Sequence, residues 1–270
     1  MTLSIVIVNF NAREHLVNCL QSLLRHPPAA EHEVIVVDNA STDQSADSVS
    51  VQFPTVRLVR LPRNVGFAAG NNAGIRVSVG DLVLLLNNDT LVPPGAIDSL
   101  AHALAAHPDA AVAGPRLVDA DGRPELSFGP MISPIGELRQ KVTTLLHARG
   151  VAMASSWVDR ETHREHYVDW VSGACLLVRR GDAETVGLLD ERYFLYTEDV
   201  DFCAAIRARG RKVLFTPAAE IVHLRGRSRA TAPAAMNAAY RRSHIAFYEK
   251  HHPGWAPLLK LYLRLKGQLP

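Results

Sequence analysis

The sequence is poor in cysteine, in aromatic residues and in long apolar runs. Its three cysteines, Cys19, Cys175 and Cys203, stand far apart with no CxxC pair. That excludes a disulfide framework and a cysteine-based zinc site, and it fits a reducing, cytoplasmic setting. The purest apolar runs, residues 5–8 and 82–86, fall far short of the ~20 residues that a helix needs to cross a bilayer. The opening stretch MTLSIVIVNFNAREHL has no basic segment and no small-residue cleavage site, so no secretion signal is expected. Several catalytic signatures are missing as well. The first apolar run leads into VNFNAREHL, where a dinucleotide-binding chain would carry GxGxxG. There is no GxxxxGK[ST], no GxSxG and no HExxH. The DADG at 119–122 has Pro130 where a calcium loop needs its twelfth-position carboxylate, so it reads as a β-turn. No internal repeat or low-complexity segment is present.

What is there is an ordinary globular composition with an uneven charge. Apolar residues make up 47% and charged residues 21% of the 270 residues, so the chain can bury one core or two. The net charge of +2 hides a gradient. Residues 221–270 hold nine basic residues and one acid, Glu249, which leaves residues 1–220 net acidic. A basic end suits an anionic partner such as a membrane surface, or serves only as a solvated face. Few aromatics lie at stacking intervals in it, so no nucleic-acid partner is expected.

Strand and helix patterns alternate along the first half. Residues 3–8, 33–38, 56–61, 81–86 and 112–118 read as buried strands. Residues 12–24, 41–53 (capped by Ser41 or Thr42), 70–79 and 94–106 read as helices. Residues 122–167 are polar and loop-rich, with a helix expected over 135–148. Beyond them, 169–179 reads as one strand, 182–186 and 198–210 as helices, 211–216 and 220–224 as two strands, and 234–251 and 255–266 as helices. The expected fold class is α/β: a mostly parallel sheet flanked by helices, with a helical C-terminal extension.

Ligands of open α/β sheets bind outside the carboxyl ends of the strands. Four polar clusters stand there in succession: Asn9-Phe10-Asn11; Asp38-Asn39 with Ser41, Thr42 and Asp43; Arg63 through Asn72; and Asn87-Asn88-Asp89-Thr90. Turns favour such residues anyway, but four clusters on one edge point to a site.

The segments VIVNFN, VVDNASTD, RNVGFAAGNNAG, LLLNNDT, WVSGACLLVRR and FLYTEDVDFC follow in an order that resembles the family 2 glycosyltransferases, in particular the rhamnosyltransferase-like branch that builds cell-surface polysaccharide. The resemblance covers about residues 1–225. It implies a GT-A fold over 1–225, with a nucleotide-binding half at 1–118 and an acceptor half at 119–225 that holds the insertion at 122–167. It leaves 226–270 as the basic extension. It further implies a nucleotide-sugar donor (dTDP- or UDP-linked), a divalent metal (Mg²⁺ or Mn²⁺), inversion at the anomeric carbon, and a glycan or lipid-linked glycan acceptor.

The resemblance also assigns roles to residues. Val8, Asn9, Asn11, Asp38, Asn39, Arg63, Asn64, Gly70, Asn71, Asn87 and Asn88 would bind the nucleotide, with Asp38 on a pyrimidine N–H. Gly66 and Gly70 allow close backbone approach, although Gly70 also reads as a plain helix start. Asp89 is the metal candidate. The usual DxD pair is here Asn87-Asn88-Asp89, which offers one carboxylate. His223 matches a later metal or phosphate ligand and equally reads as a structural histidine. Asp199 is the implied general base, Glu198 its companion towards acceptor or helix, and Asp201 a structural residue; a pair of helix caps is the plainer reading of the first two. Trp170, Ser172, Gly173 and Tyr196 fall on the sugar and acceptor side, with Trp170 equally suited to a core. The single carboxylate at 87–89 leaves one alternative, a degenerate module that holds a nucleotide or glycan without turnover. In the extension, Trp255, Leu258, Leu259, Leu261, Tyr262, Leu263 and Leu265 interleave with Lys260, Arg264 and Lys266, the pattern of an interfacial helix or of a homodimer face.

Overall fold

A computed structural model of the chain describes residues 1–134, 136–137, 142, 145–146, 149, 152–224 and 233–269. The first part alternates β1 (Leu3–Asn9), α1 (Arg13–Arg25), β2 (His32–Asp38), α2 (Ser45–Gln52), β3 (Arg57–Arg60), α3 (Phe67–Val77), β4 (Leu82–Leu86), β5 (Thr90–Leu91), α4 (Ala96–Ala106) and β6 (Ala110–Val118). Then come β7 (Pro124–Glu125), β8 (Phe128–Gly129), α5 (Ala152–Thr162), β9 (His166–Val168), β10 (Trp170–Val171), β11 (Cys175–Arg179) and α6 (Arg180–Thr185). The chain finishes with α7 (Glu198–Ala208), β12 (Lys212–His223), α8 (Pro233–His251) and α9 (Ala256–Leu265). The helix expected over 135–148 lies for most of its length outside the described residues, as do Arg225, Arg227 and Arg229.

The main sheet runs β3-β2-β1-β4-β11-β6-β12-β5. Strands β3, β2, β1 and β4 are mutually parallel, as are β6 and β12; β11 runs antiparallel between β4 and β6. Every residue of β1 is buried because both faces of the sheet are covered. Leu3, Ile5 and Ile7 meet Leu16, Leu20, Ile97 and Leu100 on one side. Val6 and Val8 meet Ala68, Ile75 and Phe202 on the other. The glycines spaced every fourth residue explain how close α3 comes. A Cβ on Gly74 would stand 2.4 Å from Val6 Cγ1, and one on Gly70 2.9 Å from Val8 Cγ1. A third cluster ties the C-terminal helices to the domain, packing Phe247, Tyr248 and Ala256 on Tyr193 and Val200.

Four expectations shift. Helix α2 begins at Ser45, not Ser41. The hydroxyl of Ser41 accepts from Asn9 Nδ2 (3.2 Å) and Asn11 N–H (3.0 Å), and Thr42 N–H donates to Asn11 Oδ1 (2.7 Å), so this stretch serves the neighbouring loop instead of a helix. Helix α3 begins three residues before Gly70, because Gly66 supplies the turn. The single strand expected over 169–179 is two strands in different sheets: β10 pairs with β8, β11 joins the main sheet, and Ser172-Gly173-Ala174 is the break. The two strands expected over 211–224 are one strand, β12, whose ladder is interrupted between Thr216 and Glu220. Pro217 has no N–H to give there. The turn at 119–122 forms as expected, with Gly122 at φ +78 and its N–H on Asp119 O.

Candidate active site

The carboxyl ends of β1, β2, β3 and β4 meet in one hydrogen-bonded layer. Asn9 is fully buried; its Oδ1 accepts from Asn88 Nδ2 at 2.7 Å, and its backbone carbonyl accepts from Asn39 N–H at 2.8 Å. Asn11, at φ +50, turns the chain so that its carbonyl reaches Thr42. Asp38 Oδ2 accepts from Ser41 N–H at 3.2 Å. Asn39 staples the following loop: Nδ2 donates to Asn64 Oδ1 (2.9 Å) and Gly66 O (3.1 Å), while Oδ1 accepts from Val65 N–H (2.9 Å). Arg63 is exposed on a groove of about 590 Å³ that Asn64, Arg76 and Phe194 also line.

The fourth strand leads to an ion-paired triad. Asp89 Oδ1 lies 3.3 Å from His223 Nε2 without hydrogen-bond geometry, and His223 Nδ1 lies 3.2 Å from Glu125 Oε2. Topology makes the triad: β5 pairs with the end of β12, setting His223 opposite Thr90, and Leu224 N–H returns to Asp89 O at 2.8 Å. Burial alone would depress the His223 pKa, but its two carboxylate partners override burial and push it up to about 9. Burial works to raise Asp89, and the imidazole beside it wins, holding the carboxyl below its usual range. The His15 charge adds to the same field from α1.

Opposite stands the first turn of α7. Tyr196 and Thr197 both sit at positive φ, +70 and +67, a costly conformation for non-glycine residues that tends to mark functional turns. The strain delivers Glu198 and Asp199 side by side. Asp199 Oδ2 accepts from Gly173 N–H at 2.8 Å, an amide that the break between β10 and β11 leaves outside both ladders. Burial raises the Asp199 carboxyl above its ordinary range, against the amides of Gly173 and Val200. Glu198 is buried and raised much further, first by burial and then by the Asp199 charge. Two contacts fasten this unit to the nucleotide side: Phe67 N–H donates to Phe194 O at 2.7 Å, and Asn87 N–H to Ala174 O at 2.9 Å. Asp201 faces away, taking Lys250 Nζ (2.8 Å), His251 Nε2 (2.6 Å) and Tyr193 OH (3.1 Å), and so anchors α8.

A raised carboxyl makes a testable statement about stability. Between its ordinary pKa and its folded one, Glu198 keeps a proton in the native state that the unfolded chain has released. Its stabilising contribution is therefore complete below the unfolded pKa and is lost as pH rises through the folded value. Glu198→Gln, neutral throughout, is expected to melt higher than the wild type at neutral pH and to lose less stability as pH rises above the ordinary carboxylate range. Thermal melts from that range up to neutral pH decide the matter; a lower Tm for the variant at neutral pH contradicts it.

Buried polar atoms nearly always find partners, so the exceptions are informative. Among the described residues, the buried side-chain oxygens without a hydrogen-bond partner are Asp38 Oδ1, Asn87 Oδ1, Asp89 Oδ1 and Glu198 Oε2. All four belong to the strand-end clusters or to the first turn of α7. The structure thus gathers Asn9, Asn11, Asp38, Asn39, Asn64, Asn87 and Asn88, sets Asp89 on His223, and sets Gly173 on Asp199. Other candidates are occupied elsewhere. The side chain of Val8 packs against the bare Cα of Gly70 where α3 crosses β1, and Asn71 Nδ2 donates to Phe67 O within its own helix. The indole of Trp170 donates to Pro130 O and lies over Gly129. Ser172 holds its own turn through Ala174 N–H.

Sequence reasoning passed over Glu125, Phe194, Tyr240 and Ser243. Glu125 had no motif around it. Phe194 acts through its backbone carbonyl, which carries no residue signal. Tyr240 stands edge-on to Tyr196 at 5.9 Å, and Ser243 Oγ donates to Leu195 O at 2.7 Å; both come from α8. The i, i+4, i+8 spacing of Tyr240, His244 and Tyr248 was the available signal.

A mixed, mostly parallel sheet flanked by helices, with polar loops gathered at one edge and an acidic helix start facing them, defines a glycosyltransferase of the GT-A class. Residues 4–166 match the family described as Glycosyl transferase family 2, and the chain belongs to that family. It is a nucleotide-sugar-dependent glycosyltransferase of the rhamnosyltransferase-like kind. It is 33% identical, over 95% of its length and 87% of the relative's, to the N-acetylglucosaminyl-diphospho-decaprenol L-rhamnosyltransferase of Mycobacterium tuberculosis. Among solved structures it resembles the mannosyltransferase PcManGT from Pyrobaculum calidifontis in complex with GDP-Man and Mn²⁺, with TM-score 0.60, 19% identity and coverage of 95% of this chain and 67% of that one. It also resembles GalNAc-T7 with UDP, GalNAc and Mn²⁺, with TM-score 0.61, 16% identity and coverage of 83% of this chain but only 44% of that one. At these identities the two structures speak for the fold alone.

Proposed function

We propose that the chain transfers L-rhamnose, or a related deoxyhexose, from a dTDP- or UDP-linked donor to a lipid-linked glycan, inverting the anomeric centre, with Asp199 as general base. The set of buried side-chain oxygens without a hydrogen bond carries the reading. Asp38 Oδ1, Asn87 Oδ1 and Asp89 Oδ1 suit N–H groups, hydroxyls or a cation, and Glu198 Oε2 suits a hydroxyl, which are what a nucleotide, a sugar and a metal bring. Asp38 suits the N–H of a pyrimidine. Asn9, Asn11 and Asn88 edge the place for base and ribose, and Arg63 and Asn64 flank it. The relative's name supports rhamnose as the sugar and a diphospho-polyprenol glycan as the acceptor. Tyr196 and Tyr240 offer aromatic edges to the acceptor's rings.

Asp199 takes the proton from the acceptor hydroxyl as that oxygen attacks the anomeric carbon, and the diphosphate departs on the opposite side. A carboxyl raised by burial is a better base near neutrality than an exposed one. Glu198, protonated by the same burial, donates to a hydroxyl of the bound acceptor.

The donor set would fit a divalent cation, Mg²⁺ or Mn²⁺: Asp89 would hold it, and His223 would join as a ligand by releasing to solvent the proton that its two carboxylate partners favour. Asp89 Oδ1 has no hydrogen bond, and Glu125 on the far nitrogen of His223 orients the imidazole as carboxylates behind metal-bound histidines do. No group of three or more His, Cys, Asp or Glu arranged for a metal exists among the described residues. Two protein ligands supplemented by donor phosphates and water suit Mg²⁺, so the cation comes with the donor. When bound it neutralises charge that develops on the leaving diphosphate.

Thermal melting with nucleoside diphosphates tests the reading. At a hundred times Kd a ligand adds about 2.7 kcal/mol, which is roughly 5–10 °C for a chain of this size. dTDP or UDP is expected to raise Tm, and Mg²⁺ or Mn²⁺ to enlarge the rise. Asp89→Asn should abolish the metal-dependent increment and keep the nucleotide-only one. No rise with any nucleotide at millimolar concentration sinks the proposal.

A further inference from the structure

Helix α9 has two apolar faces, and the protein uses one of them. Ala256 and Leu263 are buried, and Leu259 packs with Ala256 against the cluster of Phe247 and Tyr248. Opposite, Trp255, Leu258, Tyr262 and Leu265 recur at i, i+3, i+7 and i+10, with Leu261 beside them, and each is more than half exposed. Exposed apolar side chains are normal singly; a continuous stripe of five on one helix is not. At about 100° per residue, Lys260 and Arg264 border this stripe on one side and Lys266 on the other. All three are exposed, and Lys260 shares its charge with Glu249 at 2.5 Å.

We propose that the outer face of α9 docks the protein on the surface of an anionic phospholipid bilayer. The stripe enters the headgroup region to a depth of about 5–10 Å, and the flanking cations meet lipid phosphates. Trp255 and Tyr262 are the residue types that settle at that level. No described helix is long and apolar enough to cross a membrane, so the contact is peripheral. A second copy of the chain fits the face poorly. An isologous pairing lays the same patch on itself, bringing both sets of Lys260, Arg264 and Lys266 together. The proposal goes beyond the sugar-transfer reading and holds whichever sugar is used.

The test is co-flotation of the full chain with vesicles of phosphatidylglycerol and phosphatidylcholine, beside pure phosphatidylcholine. The wild type is expected to float with the anionic vesicles at low salt, less at high salt, and weakly with neutral ones. The double variant Leu261→Glu, Leu265→Glu changes only exposed positions, so circular dichroism and Tm should match the wild type. Its partitioning should fall on the order of tenfold or more. The nucleotide-dependent rise in Tm should be the same in both proteins, which separates failure of this surface from failure of the donor site. Absence of wild-type binding at low salt, or undiminished binding by the double variant, overturns the proposal. So does sedimentation showing a dimer that the double variant loses.

Discussion

Asp199→Asn is expected to lower the rate of glycosyl transfer by about 10²- to 10⁴-fold, the usual contribution of a positioned general base, while the affinity for nucleoside diphosphate stays within about twofold. The reasoning is geometric. Gly173 N–H and Val200 N–H each donate to the Asp199 carboxylate at 2.8 Å, so the group is already oriented. Asparagine keeps the shape and one acceptor oxygen, and it removes the basic lone pair. It also spoils one of the two amide bonds, a net loss of about 1 kcal/mol that shows in Tm but not in donor binding. A pH profile adds an independent reading. The base works deprotonated, so kcat/KM falls as pH drops through the Asp199 pKa. Because burial raises that pKa, the acid limb should lie above the range of an exposed aspartate. Steady-state kinetics and calorimetric titration with dTDP measure all of this. Unchanged kcat removes Asp199 from the base role, and a parallel loss of nucleotide affinity moves it into the donor pocket.

Gly66→Ala should be the most damaging single change in the loop after β3. Gly66 sits at φ +89 and ψ 177, a region reserved for glycine, where another residue costs about 1–3 kcal/mol. The added Cβ would also stand 2.4 Å from Phe194 O, the carbonyl that accepts Phe67 N–H. One of the two backbones must retreat, and the bond between them is lost at a net cost of about 1 kcal/mol. The total of about 3 kcal/mol corresponds to a fall in Tm of roughly 6–12 °C. Activity should suffer beyond stability, because that bond joins the nucleotide-side loop to the strained turn carrying Glu198 and Asp199. A displacement of an ångström there is worth about 10²-fold in rate. Gly95→Ala is the control: Gly95 also has positive φ, +70, but open space around it, so it bears only the backbone penalty of about 1–2 kcal/mol and should leave kcat unchanged. Melting and kinetics of the two variants side by side give the answer. A Gly66→Ala enzyme no worse than Gly95→Ala would show that the contact with Phe194 is incidental.

The C-terminal helices bear on the same turn. Ser243 holds the carbonyl of Leu195, and Lys250 and His251 hold Asp201, so α8 braces the segment before and after Glu198. Charge composition alone marked residues 221–270 as a basic end. It could not show that part of that charge is spent internally on Asp190 and Asp201, leaving the outer face of α9 as a surface with its own cations.

The sequence by itself determined the alternation of strand and helix, the polar ends of the first four strands and the acidic start of α7. Each is local: apolar period, turn chemistry and helix capping are written in neighbouring residues. It also marked Asp89, His223 and Asp199, through motifs in a familiar order. Tertiary structure decided what those residues touch. Ser41 and Thr42 became loop partners of Asn9 and Asn11 rather than helix caps, because Asn9 and Asn11 donate to the Ser41 hydroxyl and Asn11 Oδ1 takes the Thr42 N–H and hydroxyl. Gly70 became a packing residue because β1 lies beneath it. His223 met Asp89 and Glu125 only because β5 and β7 close on β12 and β6 from distant parts of the chain. Which of the apolar residues of α9 face inward is likewise set by Phe247 and Tyr248 on another helix. Periodicity records that a helix has apolar faces, and only the packing of the whole chain chooses which of them is left for a partner.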